Sequence, residues 1–162
     1  DWMNDARLSG GAILDLHLHD VDWVLFALGK PQRLAASGLK GLSGGIDDVS
    51  ALWAYSKSHV TLRGSWMHKE FFMGFRAFFE EASLDFNYGP SGATLWWKPR
   101  GRRPRAVRFK RQSAYFREVQ YFIDCIRGRH PNTLCTAEST RDSVAMVALE
   151  RQAIQTRRWI KP

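Results

Sequence analysis

Apolar side chains recur at helical spacing between Gly10 and Gly29. Leu14, Leu18, Val21, Leu25 and Leu28 line one stripe at about 100° per residue. Ile13, Leu16, Trp23, Val24, Phe26 and Ala27 fill most of the remaining circumference. The pattern predicts a helix over residues 11–28, apolar nearly all round and therefore expected to be buried. Ser9-Gly10-Gly11 punctuates its start, and Gly29-Lys30-Pro31 stops it with a C-terminal glycine and a following proline. Two-residue alternation and dense aromatic or β-branched content then predict strands over 32–37, 48–57, 59–67, 70–80, 83–88, 94–98 and 106–110. Their links are short, which makes neighbouring strands antiparallel. Val49, Ala51, Trp53 and Tyr55 share one face of the second strand, and Val60, Leu62 and Trp66 one face of the third. The 71–79 stretch is apolar on both faces, as a strand covered on both sides would be. Two helices close the chain: 115–127, with Phe116, Val119, Phe122, Ile123 and Ile126 on one side, and a second from an N-cap at Thr136 to about Thr156. The expected fold is α+β: a mostly antiparallel open sheet of about six to seven strands with helices on one face. The other sheet face, with Trp53 or its neighbours, Phe72, Phe78 and Trp97 as candidates, is left for oligomerisation.

One polar seam interrupts the first helix. Asp15, His19 and Asp22 fall within a stripe roughly 60° wide. A carboxylate and an imidazole on a buried helix need a partner, either each other or something in a cleft. A plain structural hydrogen bond satisfies that need. So does catalysis, because a carboxylate can orient an imidazole and raise its basicity for proton transfer. His17, on the opposite side of the helix from His19, reads as a structural, semi-buried residue.

Length and composition narrow the class. With 162 residues, the chain is most economically one domain, 1–162, with a real core. No apolar run reaches membrane-spanning length, and no basic leader precedes a hydrophobic stretch. The chain opens on Asp1-Trp2 without an initiator Met, as a fragment or a processed piece would. Cys125 and Cys135 do not make a disulfide scaffold, and two free thiols suit a cytoplasmic location. Cys125 reads as a small core residue on an amphipathic helix rather than a nucleophile. The net charge of +8 raises the question of nucleic acid. Much of it lies in the run from Lys98 to Arg111, where Pro99, Gly101 and Pro104 mark an exposed, solvated connection. No recognition element accompanies that run, so neither nucleic acid nor membrane is expected as a partner.

Gly10-Gly11-x-x-x-Asp15-x-x-x-His19-x-x-Asp22, followed by Leu28-Gly29, resembles the C-terminal domain of the glucose–fructose oxidoreductase / inositol dehydrogenase / rhizopine catabolism (Gfo/Idh/MocA) family. Asp47-Asp48-Val49-Ser50-Ala51, Gly64-Ser65-Trp66 and residues 81–86, 121–128 and 136–138 agree in order, so the resemblance covers essentially the whole chain. It implies the C-terminal half of a two-domain NAD(P)-dependent dehydrogenase acting on a hydroxyl of a sugar, polyol or related small molecule. In that family a Rossmann domain binds NAD or NADP, and the C-terminal domain binds substrate and oligomerises through its open sheet face. By the resemblance, Asp15 and His19 match the catalytic pair, with His19 taking a proton from the substrate hydroxyl. Trp66 and His68 follow a strand end that faces the substrate cleft; Trp66 as a core residue and His68 as a loop residue is the alternative. Neither a Glu-Lys-Pro motif nor a Gly-x-Gly-x-x-Gly loop occurs here, so no cofactor-binding residue is assigned to this chain, which alone is expected to be inactive. The expected partners are a small-molecule substrate and further copies of the chain, as a dimer or tetramer.

Two other readings use the same residues. Asp15, His17 and His19 also resemble the Asp-x-His-x-His strand of metal-dependent hydrolases, where alternate histidines could share one Zn²⁺. Only His59, His68 and His130 remain as further histidine ligands, and the helical register of Leu14 to Leu28 argues against a strand, so no metal site is assigned. A non-enzymatic oligomerisation module is the third reading.

Overall fold

The computed structural model describes residues 1–109 and 113–162. Lys110, the last residue of the seventh expected strand, and Arg111 of the basic run lie outside the described residues. The chain divides into two compact units, Asp1–Met67 with Asn132–Pro162, and His68–Pro131.

The first unit is built on a three-stranded antiparallel sheet of β1 (Arg33–Lys40), β2 (Ile46–Ala54) and β3 (His59–Ser65), with β2 in the middle. Leu34 pairs with Trp53, Ala51 with Leu62 and Val49 with Gly64, so these positions share one face. Helices α2 (Ala12–Asp15), α3 (His17–Leu28) and α5 (Ala137–Thr156) cover that face, after a short α1 (Ala6–Ser9). The core comprises Ile13, Val21, Val24, Leu34, Val49, Ala51, Trp53, Leu62, Met146, Val147 and Ala153. Thr136 caps α5 as read, its hydroxyl accepting the Ser139 N–H at 3.1 Å. Beyond α5, Ile160 exchanges two 2.8 Å backbone hydrogen bonds with Leu34 on the outer edge of β1, and Arg33 stacks over the Trp159 ring.

Trp53 corrects the expectation for the open sheet face. It lies on the helix-covered face and is completely buried. The first helix is also corrected in two respects. It breaks once, at Leu16, where the His19 N–H bonds the Leu16 carbonyl at 3.2 Å in a tightened turn. It is also buried on one face only: Ile13, His17, Val21 and Val24 point inward, whereas Trp23, Phe26 and Leu28 are exposed. An apolar circumference therefore exceeds what this chain covers.

Gly10 and Gly11 both have φ of +79°, which an L side chain rarely adopts. The Gly10 N–H closes α1 onto Ala6, and the chain turns directly into α2. The buried Asp47 carboxylate secures this turn, accepting the Ser43 hydroxyl at 2.6 Å, the Ser43 N–H at 2.8 Å and the free Ala12 N–H at 3.3 Å.

The second unit is a four-stranded antiparallel sheet in the order β4 (Met73–Phe78), β5 (Ala82–Gly89), β6 (Gly92–Pro99) and β7 (Arg105–Ala106), followed by α4 (Ala114–Ile126). Its register sorts the side chains cleanly. Met73–Tyr88–Ala93, Phe75–Phe86–Leu95 and Ala77–Leu84–Trp97 are apolar cross-strand rows on one face, the last continuing to Arg105 of β7, with Phe75 stacked on Phe86 at 5.5 Å. The opposite face carries Asp85, buried between Arg76 at 3.1 Å and Lys98. Phe78 shares that charged face and Phe72 precedes β4, so of the residues expected on one open apolar face only Trp97 lies on it. No residue of α4 is buried, and Phe116, Val119, Phe122 and Ile126 are exposed. The α+β class with antiparallel strands stands as read; the seven described strands are distributed over two sheets.

Gly64 faces His17 so closely that a Cβ there would lie 2.9 Å from the His17 Cβ. Gly64→Ala is expected to cost about 1–3 kcal/mol in chemical denaturation, as an overpacked core does; an unchanged midpoint would contradict this packing. The Lys98 hydrogen bond and the neighbouring Arg76 hold the Asp85 carboxyl below its usual 3.8. A carboxyl lowered by folding contributes stability in full above that value and loses it as pH falls through the lowered one. Acid melts should therefore show a destabilising limb below about pH 4 that Asp85→Asn flattens.

Candidate active site

The strongest polar constellation in the first unit is centred on Glu150. This carboxylate is fully buried. Its Oε1 accepts the Trp53 indole N–H at 2.8 Å, and its Oε2 lies 2.9 Å from Nε2 of the fully buried His17. α5 places Glu150 on the same inward stripe as Ser143, Met146, Val147 and Ala153, while β2 supplies Trp53 and α3 supplies His17. Two more contacts run along the same seam. Asp22 accepts the Ser143 hydroxyl at 2.6 Å, and Arg151 donates to the Gly10 carbonyl at 2.5 Å. His17 is thus structural, as read, and more deeply buried than expected.

His19 lies two residues further along α3 and is exposed, whereas Asp15, the last residue of α2, is half-buried. No hydrogen bond or ion pair joins Asp15 to His19 among the described residues. Between the two histidines stands Asp20, in the first turn of α3, with Oδ2 3.9 Å from His17 Nδ1. Packing against the helix pushes the Asp20 carboxyl up; the charges of His17 and His19 pull it down in part. Neither Asp20 nor Glu150 stood out in the sequence as a site residue. Asp20 carries a signal in retrospect, a carboxylate on the first turn of a helix beside two histidines.

Trp66 follows β3 and is half-buried, its N–H donating to the Asp47 carbonyl at 2.9 Å. His68 is exposed and opens the second unit. Cys125 is half-buried, 3.5 Å from His130 Nδ1. The strand required by a shared Zn²⁺ on His17 and His19 is replaced by helix, and His17 Nε2 is committed to Glu150. Among the described residues, no three His, Cys, Asp or Glu side chains converge as metal ligands. No helix among them is long and apolar enough to cross a membrane.

Comparisons with known proteins bear on this geometry. None of the curated proteins matches the chain. Among solved structures, UDP-N-acetylglucosamine 3-dehydrogenase GnnA from Acidithiobacillus ferrooxidans superposes with a TM-score of 0.76 at 23% identity, over 90% of this chain and 47% of that one. Aldose-aldose oxidoreductase from Caulobacter crescentus, complexed with glycerol, gives 0.82 at 12% identity, over 100% and 51%. A levoglucosan dehydrogenase in complex with NADH and levoglucosan gives 0.82 at 14%, over 99% and 53%. At these identities the likeness establishes the fold alone, and the chain spans about half the length of each. A family model described as the GFO/IDH/MocA C-terminal domain matches residues 1–85, a segment that contains Asp15, His17, His19, Asp20, Trp53 and Trp66. The chain belongs to this family of oxidoreductase C-terminal domains.

Proposed function

We propose that the chain is the substrate-binding and catalytic half of an NAD(P)-dependent dehydrogenase that oxidises a hydroxyl of a sugar, polyol or related small molecule. The observation that carries this reading is the family match running through Asp15 and His19. The solved structures of the same fold are named for an amino-sugar nucleotide, aldoses and levoglucosan, all rich in hydroxyl groups. The residues present do not fit a dinucleotide. No Gly-x-Gly-x-x-Gly loop occurs in the chain, and every strand pairing among the described residues is antiparallel. The cofactor is therefore assigned to a separate Rossmann domain, without which this chain is inactive; the free Cys125 and Cys135 suit a cytoplasmic location.

What the chain itself contributes is proton handling and binding. His19, exposed on α3, accepts the proton of the substrate hydroxyl at a ring nitrogen, and Asp15, half-buried at the end of α2 and not bonded to His19 here, is its paired carboxylate by the family match. Trp66 and His68 contribute to substrate binding. His19→Ala in the full-length enzyme should lower kcat by about 10²–10⁴, the range for losing a general base, with the fold intact. Unchanged kcat and pH dependence would remove His19 from the chemistry.

Assembly follows from the second unit. Its largely apolar sheet face, with Met73, Phe75, Leu84, Phe86 and Trp97 and Arg105 at its edge, is matched by the same face of another copy in a two-fold, self-complementary contact. The unit carries thirteen Lys and Arg against six Asp and Glu, so two copies repel and salt should strengthen association. Light scattering is expected to give at least a dimer at tens of micromolar, more firmly at higher ionic strength. A stable monomer at all salt concentrations would count against it.

A further inference from the structure

The outer edge of β1 is closed at both ends and open in the middle. Leu34 directs both of its backbone groups outward, where Ile160 takes them at 2.8 Å each. In an antiparallel strand that orientation returns at every second residue. Ala36 and Gly38 therefore also turn their N–H and C=O groups to the outside, while the residues between them bond β2. These outward groups meet no partner among the described residues. Past Gly38 the register slips between Leu39 and Lys40, which ends the regular edge.

The open stretch faces a groove of about 590 Å³, lined beside Ala36 and Gly38 by Ile154 of α5 and by Arg157, Arg158 and Trp159 of the tail. Arg157 holds the left-handed conformation, with φ of +54°, at a helix end where glycine is the usual residue. Neither guanidinium has an acidic partner among the described residues. The charge is local. Residues 33–40 and 154–161 contain Arg33, Lys40, Arg157, Arg158 and Lys161 and no Asp or Glu, although the first unit as a whole is nearly balanced.

We infer that this edge is a docking site for an extended acidic peptide of a partner protein, added as a strand beside Ala36 and Gly38 with its carboxylates against Arg157 and Arg158. Unpaired backbone groups on a strand edge bind main chain and are indifferent to sequence. Selectivity then falls to the side chains at the rim, and guanidinium groups select carboxylates. Because successive side chains of a strand point to opposite faces, an acidic residue at every second position puts its carboxylates on the α5 side of the sheet. The small side chains of Ala36 and Gly38 leave the approach clear. A second copy of the chain is disfavoured as occupant, since its own β1 edge would bring the same basic residues.

Amide exchange of the ¹⁵N-labelled 162-residue chain tests this with an end-blocked peptide of alternating Glu and Val, about five residues long so as to span the open stretch. Added up to millimolar concentration, the peptide should slow exchange of the Ala36 and Gly38 amides. The Leu34 amide, already bonded to Ile160, should not change. The same peptide with Lys in place of Glu should protect neither. Arg157→Glu combined with Arg158→Glu should exchange these preferences. Ala36→Pro removes one outward N–H without touching the β1–β2 ladder, and should weaken the acidic peptide about tenfold, the worth of one hydrogen bond. Circular dichroism reports folding of each variant; should the proline disturb it, the charge reversal on exposed side chains still decides. Ala36 and Gly38 amides that do not respond to the acidic peptide overturn the inference, as does equal protection by both peptides. Protection that grows with protein concentration alone also overturns it, because the occupant is then a second copy.

Discussion

A single carboxylate with no access to water, that of Glu150, ties the first unit together. One of its oxygens is held by the indole of β2 and the other by the imidazole of α3, while its own backbone belongs to α5. Burying such a group costs several kcal/mol unless both oxygens are occupied. The arrangement is therefore all or nothing. Leaving one partner unpaired would cost about 3–5 kcal/mol, which is a large share of the stability of a domain this size. The orientation of α3 against the sheet, and with it the place where His19 meets solvent, follows from this requirement.

The element boundaries could be read from the chain because they depend on local signals. Thr136 announces α5 by its own hydroxyl, Gly29-Lys30-Pro31 ends α3, and strand alternation puts Val49, Ala51 and Trp53 on one side. The candidate catalytic pair was readable as a motif, in the four-residue spacing of Asp15 and His19. What supports it was not. His17 and Glu150 are 133 positions apart, and nothing in either local sequence says that they meet. Helical periodicity also misjudged the burial of the first helix, because hydrophobicity reports what a residue would prefer and not how much surface a chain has to offer. Trp23 and Phe26 are apolar and still exposed. The break at Leu16 escaped detection because leucine is a good helix former and its backbone there remains right-handed helical.

The two units solve opposite problems. The first hides a full hydrophobic core behind three helices, and it balances eleven basic against ten acidic residues. The second concentrates nearly all of the net charge of the chain in a sheet with one apolar face and little of its own to cover it. Arg76 and Lys98 are absorbed by Asp85, whereas Arg100, Arg102, Arg103, Arg105 and Arg108 are exposed. The described part of the basic run thus extends from the end of β6 through β7 to Arg108, separated along the chain from the histidines of α3.

The short pairing of Ile160 with Leu34 matters for a different reason. β1 is an edge strand, and an uncovered edge offers free N–H and C=O groups to the strand of any other molecule. By occupying both groups of Leu34, the tail denies that edge its most hydrophobic hydrogen-bonding position, and Trp159 seated on Arg33 guards the neighbouring one. Trp159 and Ile160 thereby shield one end of the β1 edge from pairing with another strand.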